Sequence, residues 1–400
     1  VRVERDPEDL RGLSGHGHPP REDVTAIVEE VRRGGDASLQ RYSDEHDGNE
    51  GKPIRVTAAE LDAAREALEP GLLAGLEVAI ANVAAVAEAS LAEEATVALP
   101  QGQSVTIREI PVGRAAIYVP GGRNPYPSSV VMGAVTAAVA GVQDVVVCAP
   151  GAHPAILAAC ALCGVKEVLR AGGAHVVAAL AYGTETIARA DVIAGPGGPY
   201  VQEAKRQVFG DVGIDMYAGP SDLLLVADAD ADPELIAADL LAQAEHGRGT
   251  VVALVSESRE LLDAVAPALE ALESDAVAAL VHSGDPLEII ESFAPEHLQL
   301  VGARAETLAP AVTRAGCVLV GPQSGTAFSD YVAGSNHTLP TEGAARFASG
   351  LNPGHFRRRV CEVRIGTAAD RLAQAGAPIA EAEGFVLHAN SMRKRQNPPS

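Results

Sequence analysis

The chain has no tryptophan, and aromatic residues make up only 3% of its 400 positions. Its cores must therefore be built from Ala, Val, Leu and Ile, and Ala-rich stretches such as VAALAYGTETIARA read as helices packed closely on a sheet. Positive charge is also in deficit: 31 Lys and Arg stand against 53 Asp and Glu, a formal net charge of -22. A polyanion would be repelled rather than steered in, which argues against nucleic acid as a partner. The five cysteines (Cys148, Cys160, Cys163, Cys317 and Cys361) are odd in number and sit in apolar settings, which suits a reducing compartment. Cys160 and Cys163 have the spacing of a metal or redox pair, but AILAACALCGV is an amphipathic helix with no second ligand pair nearby, so they read as small buried residues. The longest apolar stretch, VVMGAVTAAVAGVQDVVVCAPG, is broken by Gln143, Asp144 and several glycines, which argues against a membrane span. The first twenty residues are charged and lack the apolar core of a signal peptide, so the chain reads as cytoplasmic. The dinucleotide fingerprint GxGxxG is missing from the Gly-rich turns, and no GxSxG elbow surrounds Ser221.

What is present is globular, with 47% hydrophobic residues and enough length for two or three domains without disulfides. From Arg21 to about Ala95 the pattern is helical, with Val24, Ile27, Val28 and Val31 on one face and RRGGD closing one helix before a new start. The texture changes at Val105, where β-branched residues and dense Gly and Pro begin. From Val145 short apolar strands alternate with helices (VVVCAPG, HPAILAACALCGV, EVLRAGG, AHVVAALAYGT, DVIAGPG, PYVQEAKRQVFG), and a second series starts at Leu223. Such alternation means parallel βαβ units covered on both faces. The expected class is α/β: two doubly wound, Rossmann-like but incomplete parallel-sheet domains with small helical N- and C-terminal segments. The expected divisions are an arm over residues 1–20, one α/β domain from 21–114 and 222–350 carrying most of the site, a second over 115–221, and a segment over 351–400. That last segment is too small for a core of its own and must dock on the main body or on a second copy.

Polar, metal-competent residues gather in short blocks. Gln243 and His246, three apart at the end of an apolar helical run, share one helix face where they could chelate a metal ion, although a histidine there also complements the helix dipole. Glu296 and His297 in FAPEHL pair a carboxylate that can activate water with an imidazole that can take a proton from an alcohol; a surface loop pair has the same sequence. Asp330 and His337 follow in SDYVAGSNHTLPT, and Glu383 and His388 in EGFVLHANSMRKR. Ser221 in AGPSD could hydrogen-bond a substrate. The Gly-rich turns YVPGGRNPYPSS, RAGGAHVV and AGPGGPYVQEAK lie where strands give way to helices, the place where open α/β sheets bind anionic ligands, and also the place of ordinary tight turns.

Taken in order, YVPGGRNPYPSSVVM, LAYGTETI, AKRQVFGDVGIDMYAGPSD, LLAQAEH, APEHL, DYVAGSNHTLPT, ARFASGL and EGFVLHA resemble the histidinol dehydrogenase family, over nearly the whole chain from about residue 20 to residue 392. The resemblance implies a homodimeric enzyme of histidine biosynthesis with zinc and NAD, oxidising L-histidinol through the aldehyde to L-histidine. It implies zinc ligands at Gln243, His246, Asp330 and His388, the last supplied by the partner subunit. It implies a catalytic pair at Glu296 and His297, and substrate contacts at Ser221, His337 and Glu383 beside the ligands and His297. It implies NAD contacts at Tyr118, His175 and Gly198. His175 stands where the family usually has Gln, and Gly198 where it usually has Asn, so cofactor geometry is expected to differ there. The same scaffold also resembles dehydrogenases of small diols such as sulfopropanediol. A zinc-dependent hydrolase would use the Glu296 and His297 pair too, but leaves the Gly-rich strand ends unexplained.

Overall fold

Runs of Val, Leu, Ile and Ala punctuated by Gly, Pro and Asp become strands, and the Ala-rich stretches between them become helices, across the residues that the computed structural model describes: 10, 21–121, 124–217 and 219–396. The expected N-terminal arm, apart from Leu10, lies outside the described residues. The strands are β1 (Ala95–Ala98), β2 (Ser104–Pro111), β3 (Arg114–Tyr118), β4 (Asp144–Cys148), β5 (Glu167–Leu169), β6 (Val192–Ala194) and β7 (Gly213–Ile214). They continue with β8 (Asp222–Ala227), β9 (Val251–Ser256), β10 (Val277–His282), β11 (His297–Val301), β12 (Cys317–Val320) and β13 (Arg357–Arg364).

Two five-stranded sheets form, in the orders β5-β4-β3-β6-β7 and β10-β9-β8-β11-β12. Every pairing in them is parallel, as the short continuous apolar runs require. In each sheet the chain starts at the middle strand, winds outward to one edge, then returns to build the other side. The reversal leaves a switch point, between β3 and β6 in the first sheet and between β8 and β11 in the second.

Successive side chains of a strand face opposite ways, so each sheet sorts its residues into two cores. Ala115 and Ile117 of β3 pack with Leu61, Leu76, Val83 and Ile156, while Ala116 and Tyr118 pack with Val24, Val28, Val177 and Val201. Likewise Leu223 and Leu225 of β8 pack with Ile236, Leu240 and Val265, while Leu224 and Val226 pack with Ile290, Phe293 and Leu10. The helices of residues 21–89 therefore cover the first sheet, whereas the sequence grouped them with residues 222–350. Their apolar stripes name no partner, and only the packing decides it. Within Arg21–His46 the chain kinks at Gly35, whose φ of 53° is left-handed and whose missing Cβ leaves room for the Glu185 carboxylate, as RRGGD suggested. Pro70–Ala89 is long and apolar enough by length and composition to cross a membrane, yet Leu76, Ala79 and Val83 on one of its faces are core residues.

Both parallel sheets fall in one unit, residues 1–90 and 112–356, and a second unit joins 91–111 to 357–400. In the second unit β2 pairs antiparallel with both β1 and β13, and Ala369–Ala382 packs on Val386–Arg393 through Ala377, Ala380 and Ala389. The C-terminal segment thus borrows two strands from residues 91–111 instead of standing alone, a pairing across some 250 residues that its own composition does not announce.

Candidate active site

A cavity of about 420 Å³ lies in the first unit. One wall is the carboxyl edge of the first sheet: Pro120 follows β3, and Pro196, Gly197 and Gly198 follow β6 at the switch point. The other wall is the amino edge of the second sheet, where Ser221 precedes β8, Thr250 precedes β9, and Glu296 and His297 open β11. His246 arrives from the end of the helix Pro233–Ala244, Asp330 from the helix Thr326–Tyr331, and His337 from the loop after it.

Register explains how Glu296 is held. His297 pairs with Leu223, so the residues just before them, Glu296 and Asp222, meet at adjacent strand starts. The Asp222 amide donates to Glu296 Oε2 at 3.0 Å, and the Glu296 amide donates back to Asp222 Oδ1 at 2.7 Å. Ser221 Oγ also donates to Glu296 Oε2, and Gln243 Nε2 donates to Ser221 Oγ. Burial, reinforced by the Glu296 charge, raises the Asp222 carboxyl to about 8. Asp222 is a site residue that the sequence did not single out. A carboxylate at the head of an apolar strand reads as a boundary marker, and its reciprocal contact with Glu296 spans 74 positions.

His297 is buried, with Nδ1 3.3 Å from the Asp222 carbonyl and 3.6 Å from Glu296 Oε2. Its Nε2 lies 3.3 Å from Asp330 Oδ1 but makes no aligned hydrogen bond among the described residues. Burial opposes charge on this imidazole, yet Glu296 and Asp330 outweigh it and hold its pKa well above the ordinary value. Burial would raise the Asp330 carboxyl; His297, His337 and His246 overcome that and lower it. The His337 imidazole is pushed down by burial, with Asp330 partly offsetting this; its Nδ1 meets the Asp330 carbonyl at 2.8 Å and its Nε2 lies 3.3 Å from Ser129 Oγ.

Hydrogen bonds made by two of the expected metal ligands fix which atom each has left. His246 Nδ1 lies 2.9 Å from the Gln243 carbonyl, which fixes the proton there and leaves Nε2 with its lone pair. Gln243 spends Nε2 on Ser221, which leaves Oε1 as the donor oxygen. Among the described residues no three His, Cys, Asp or Glu side chains form a metal-holding group. The proposed set contains an amide and only two such residues from this unit, His246 and Asp330. Glu383 and His388 belong to the second unit, where both are exposed.

Of the three expected cofactor contacts, only Gly198 lines the cavity, and a Cβ there would meet nothing within 4 Å. Tyr118 is buried, its hydroxyl accepting from the Gly173 amide at 3.2 Å. His175 is buried too, with Nε2 2.9 Å from Asp47 Oδ2, which also accepts from the Gly172 amide at 3.0 Å, and with its ring stacked 5.6 Å from that of Tyr42. The turn leading into the helix Gly173–Tyr182 is thus held by the chain's own carboxylate and phenol.

The histidinol dehydrogenase family model matches residues 17–396. The histidinol dehydrogenase of Parasynechococcus marenigrum is 42% identical over 393 residues, covering 93% of this chain and 90% of that protein. The enzyme of the same name from Rhizobium meliloti is 42% identical over 396 residues, covering 94% and 91%. The crystal structure of histidinol dehydrogenase from Elizabethkingia anophelis superposes with a TM-score of 0.90 at 29% identity, covering 98% of this chain and 97% of that one. An aldehyde dehydrogenase from Physcomitrella patens shares the fold alone, with a TM-score of 0.51 at 10% identity over 89% of this chain and 88% of that one. With matches of this extent, the chain is an oxidoreductase of the histidinol dehydrogenase family.

Proposed function

We propose that the protein oxidises L-histidinol to L-histidine in two steps through the aldehyde, with NAD and zinc, as the last reaction of histidine biosynthesis. The observation that carries this reading is His297: a buried imidazole on the cavity wall, flanked by Glu296 and Asp330, whose Nε2 has no hydrogen-bond partner among the described residues. Gln243, His246 and Asp330, with His388 from a partner subunit, would hold the zinc, and Gly198 would border the NAD. When bound, zinc polarises the reacting oxygen and NAD accepts one hydride in each oxidation.

With Asp330 committed to zinc, its charge would no longer favour the protonated imidazole; neutral His297 takes the hydroxyl proton as the first hydride leaves, which turns the alcohol into the aldehyde, and then releases that proton to solvent. Glu296 takes a proton from the water that adds to the aldehyde carbonyl and passes it to the carbonyl oxygen, which completes the hydrate and frees the carboxylate. The hydrate so formed loses a hydroxyl proton to His297 and its remaining carbon-bound hydrogen as the second hydride, giving the carboxylic acid. Ser221 and the Asp222 amide hold Glu296 in place through both steps. His337 and Glu383 would hold the substrate.

A homodimer with shared sites accounts for the position of His388 in the small second unit. Large apolar side chains are exposed in both units, Val320, Phe328 and Phe347 in the first and Ile379, Phe385 and Leu387 in the second, as expected of faces covered by another subunit. The assay is the absorbance of NADH formed from L-histidinol, set against small diols such as sulfopropanediol. NADH from histidinol is the expected outcome, and NADH from the diols alone would replace the substrate.

A further inference from the structure

Lys205 is completely buried, and the side chain of its partner Asp215 is equally closed to solvent. Their ion pair belongs to neither the amino edge of the second sheet nor the metal ligands. It grips a single residue, Gly195. Lys205 Nζ donates to the Gly195 carbonyl at 3.0 Å, and Asp215 Oδ2 accepts from the Gly195 amide at 2.7 Å, so both backbone polar groups of that glycine end on one charge pair. Gly195 has a φ of 124°, and a Cβ there would come within 2.1 Å of the Tyr118 carbonyl oxygen at the end of β3. The chain therefore leaves β6 in a conformation open to glycine alone, at the switch point of the first sheet, and runs straight into Pro196, Gly197 and Gly198 on the cavity wall.

A fully buried ion pair is a weak way to gain stability, because desolvating both charges offsets their attraction, and well-packed apolar residues often do as well. What such a pair supplies is a fixed direction for the groups it holds. We infer that Lys205 and Asp215 are positioning residues for the dinucleotide: by clamping both sides of Gly195 they set the Pro196–Gly198 turn against which NAD lies. This rests on the reading of the cavity as an NAD site, and it assigns the two residues to binding of the dinucleotide rather than to the oxidation chemistry.

Two variants test it. Asp215→Asn keeps the shape and removes the charge, and the paired K205M/D215L removes both charges together, leaving no unpaired ion in the core. Placement errors remote from the chemistry cost up to about a hundredfold, so a rise of about tenfold or more in KM for NAD is expected in the paired variant and a smaller one in Asp215→Asn. In both, kcat and KM for histidinol should stay within about twofold of wild type, a split that general loosening of the fold would not produce. A folded variant of either kind with unchanged KM for NAD, or with both substrates' KM raised together, overturns the assignment. Wild-type protein without NAD-linked oxidation of histidinol overturns the reading beneath it, and this inference with it. Active wild type beside an unaffected variant overturns this inference alone.

Discussion

The two parallel sheets have the same strand order and are used from opposite ends. The first meets the cavity with its carboxyl edge, through the turns after β3 and β6, as open α/β sheets generally meet their ligands. The second meets it with its amino edge, through Ser221, Glu296 and His297. At a carboxyl edge, Gly-rich turns and helix N-termini offer backbone to a ligand. At this amino edge the strand starts instead place side chains in register, so that Glu296 and Asp222 brace each other and His297 is fixed beside them. One copy of the topology thus lines the cavity with backbone turns, and the other lines it with a carboxylate and an imidazole.

If that division holds, the largest effect should come from the amino edge of the second sheet. His297→Gln is expected to slow both oxidations by about a hundred- to ten-thousandfold, the usual range for a lost general base, in steady-state assays with alcohol and with aldehyde. Mixing that inactive chain with an inactive His388→Ala chain should restore part of the activity, because one site of the mixed dimer would then be intact. No rescue in mixtures shown to contain heterodimers would place the whole site within one chain. Next in size, His246→Ala removes one of four proposed ligands and should sharply lower the zinc found by metal analysis. Full occupancy in that variant would remove His246 from the set.

Much of this arrangement is legible in the sequence, and the remainder is absent for a physical reason. Runs such as VVVC and LLLVA declare buried parallel strands, and the three Gly-rich turns do fall at the carboxyl edge of one sheet. Glu296, His297, His246, Asp330 and His337 were each visible as polar residues in apolar surroundings, and the cavity gathers all five. Long-range pairing leaves no local mark. Nothing near Asp222 says that it will lie beside Glu296, and nothing near Tyr118 or His175 says that the Tyr118 hydroxyl will accept from the Gly173 amide or that the His175 ring will meet Asp47. The same holds for the helices of residues 21–89, whose apolar faces suit either sheet.

A smaller effect distinguishes the brace from the catalyst. The Asp222 carboxyl is raised from 3.8 to about 8, so the folded protein binds this proton more tightly than the unfolded chain does. Its contribution to stability is complete below 3.8 and is lost as pH rises toward about 8. In metal-free protein the melting temperature should therefore fall over that range, and Asp222→Asn should flatten the slope. An unchanged slope would mean that Asp222 does not share its burial with Glu296 in this way.

The most direct measurement supplies the aldehyde itself to Glu296→Gln. The amide keeps the shape of the side chain but cannot accept a proton from water, so oxidation of supplied L-histidinal should fall by about a hundredfold or more. Conversion of histidinol to the aldehyde, in which His297 and not Glu296 is the proposed base, should be much less affected. Oxidation of the aldehyde at the wild-type rate by Glu296→Gln would contradict the assignment of water activation to the amino edge of the second sheet.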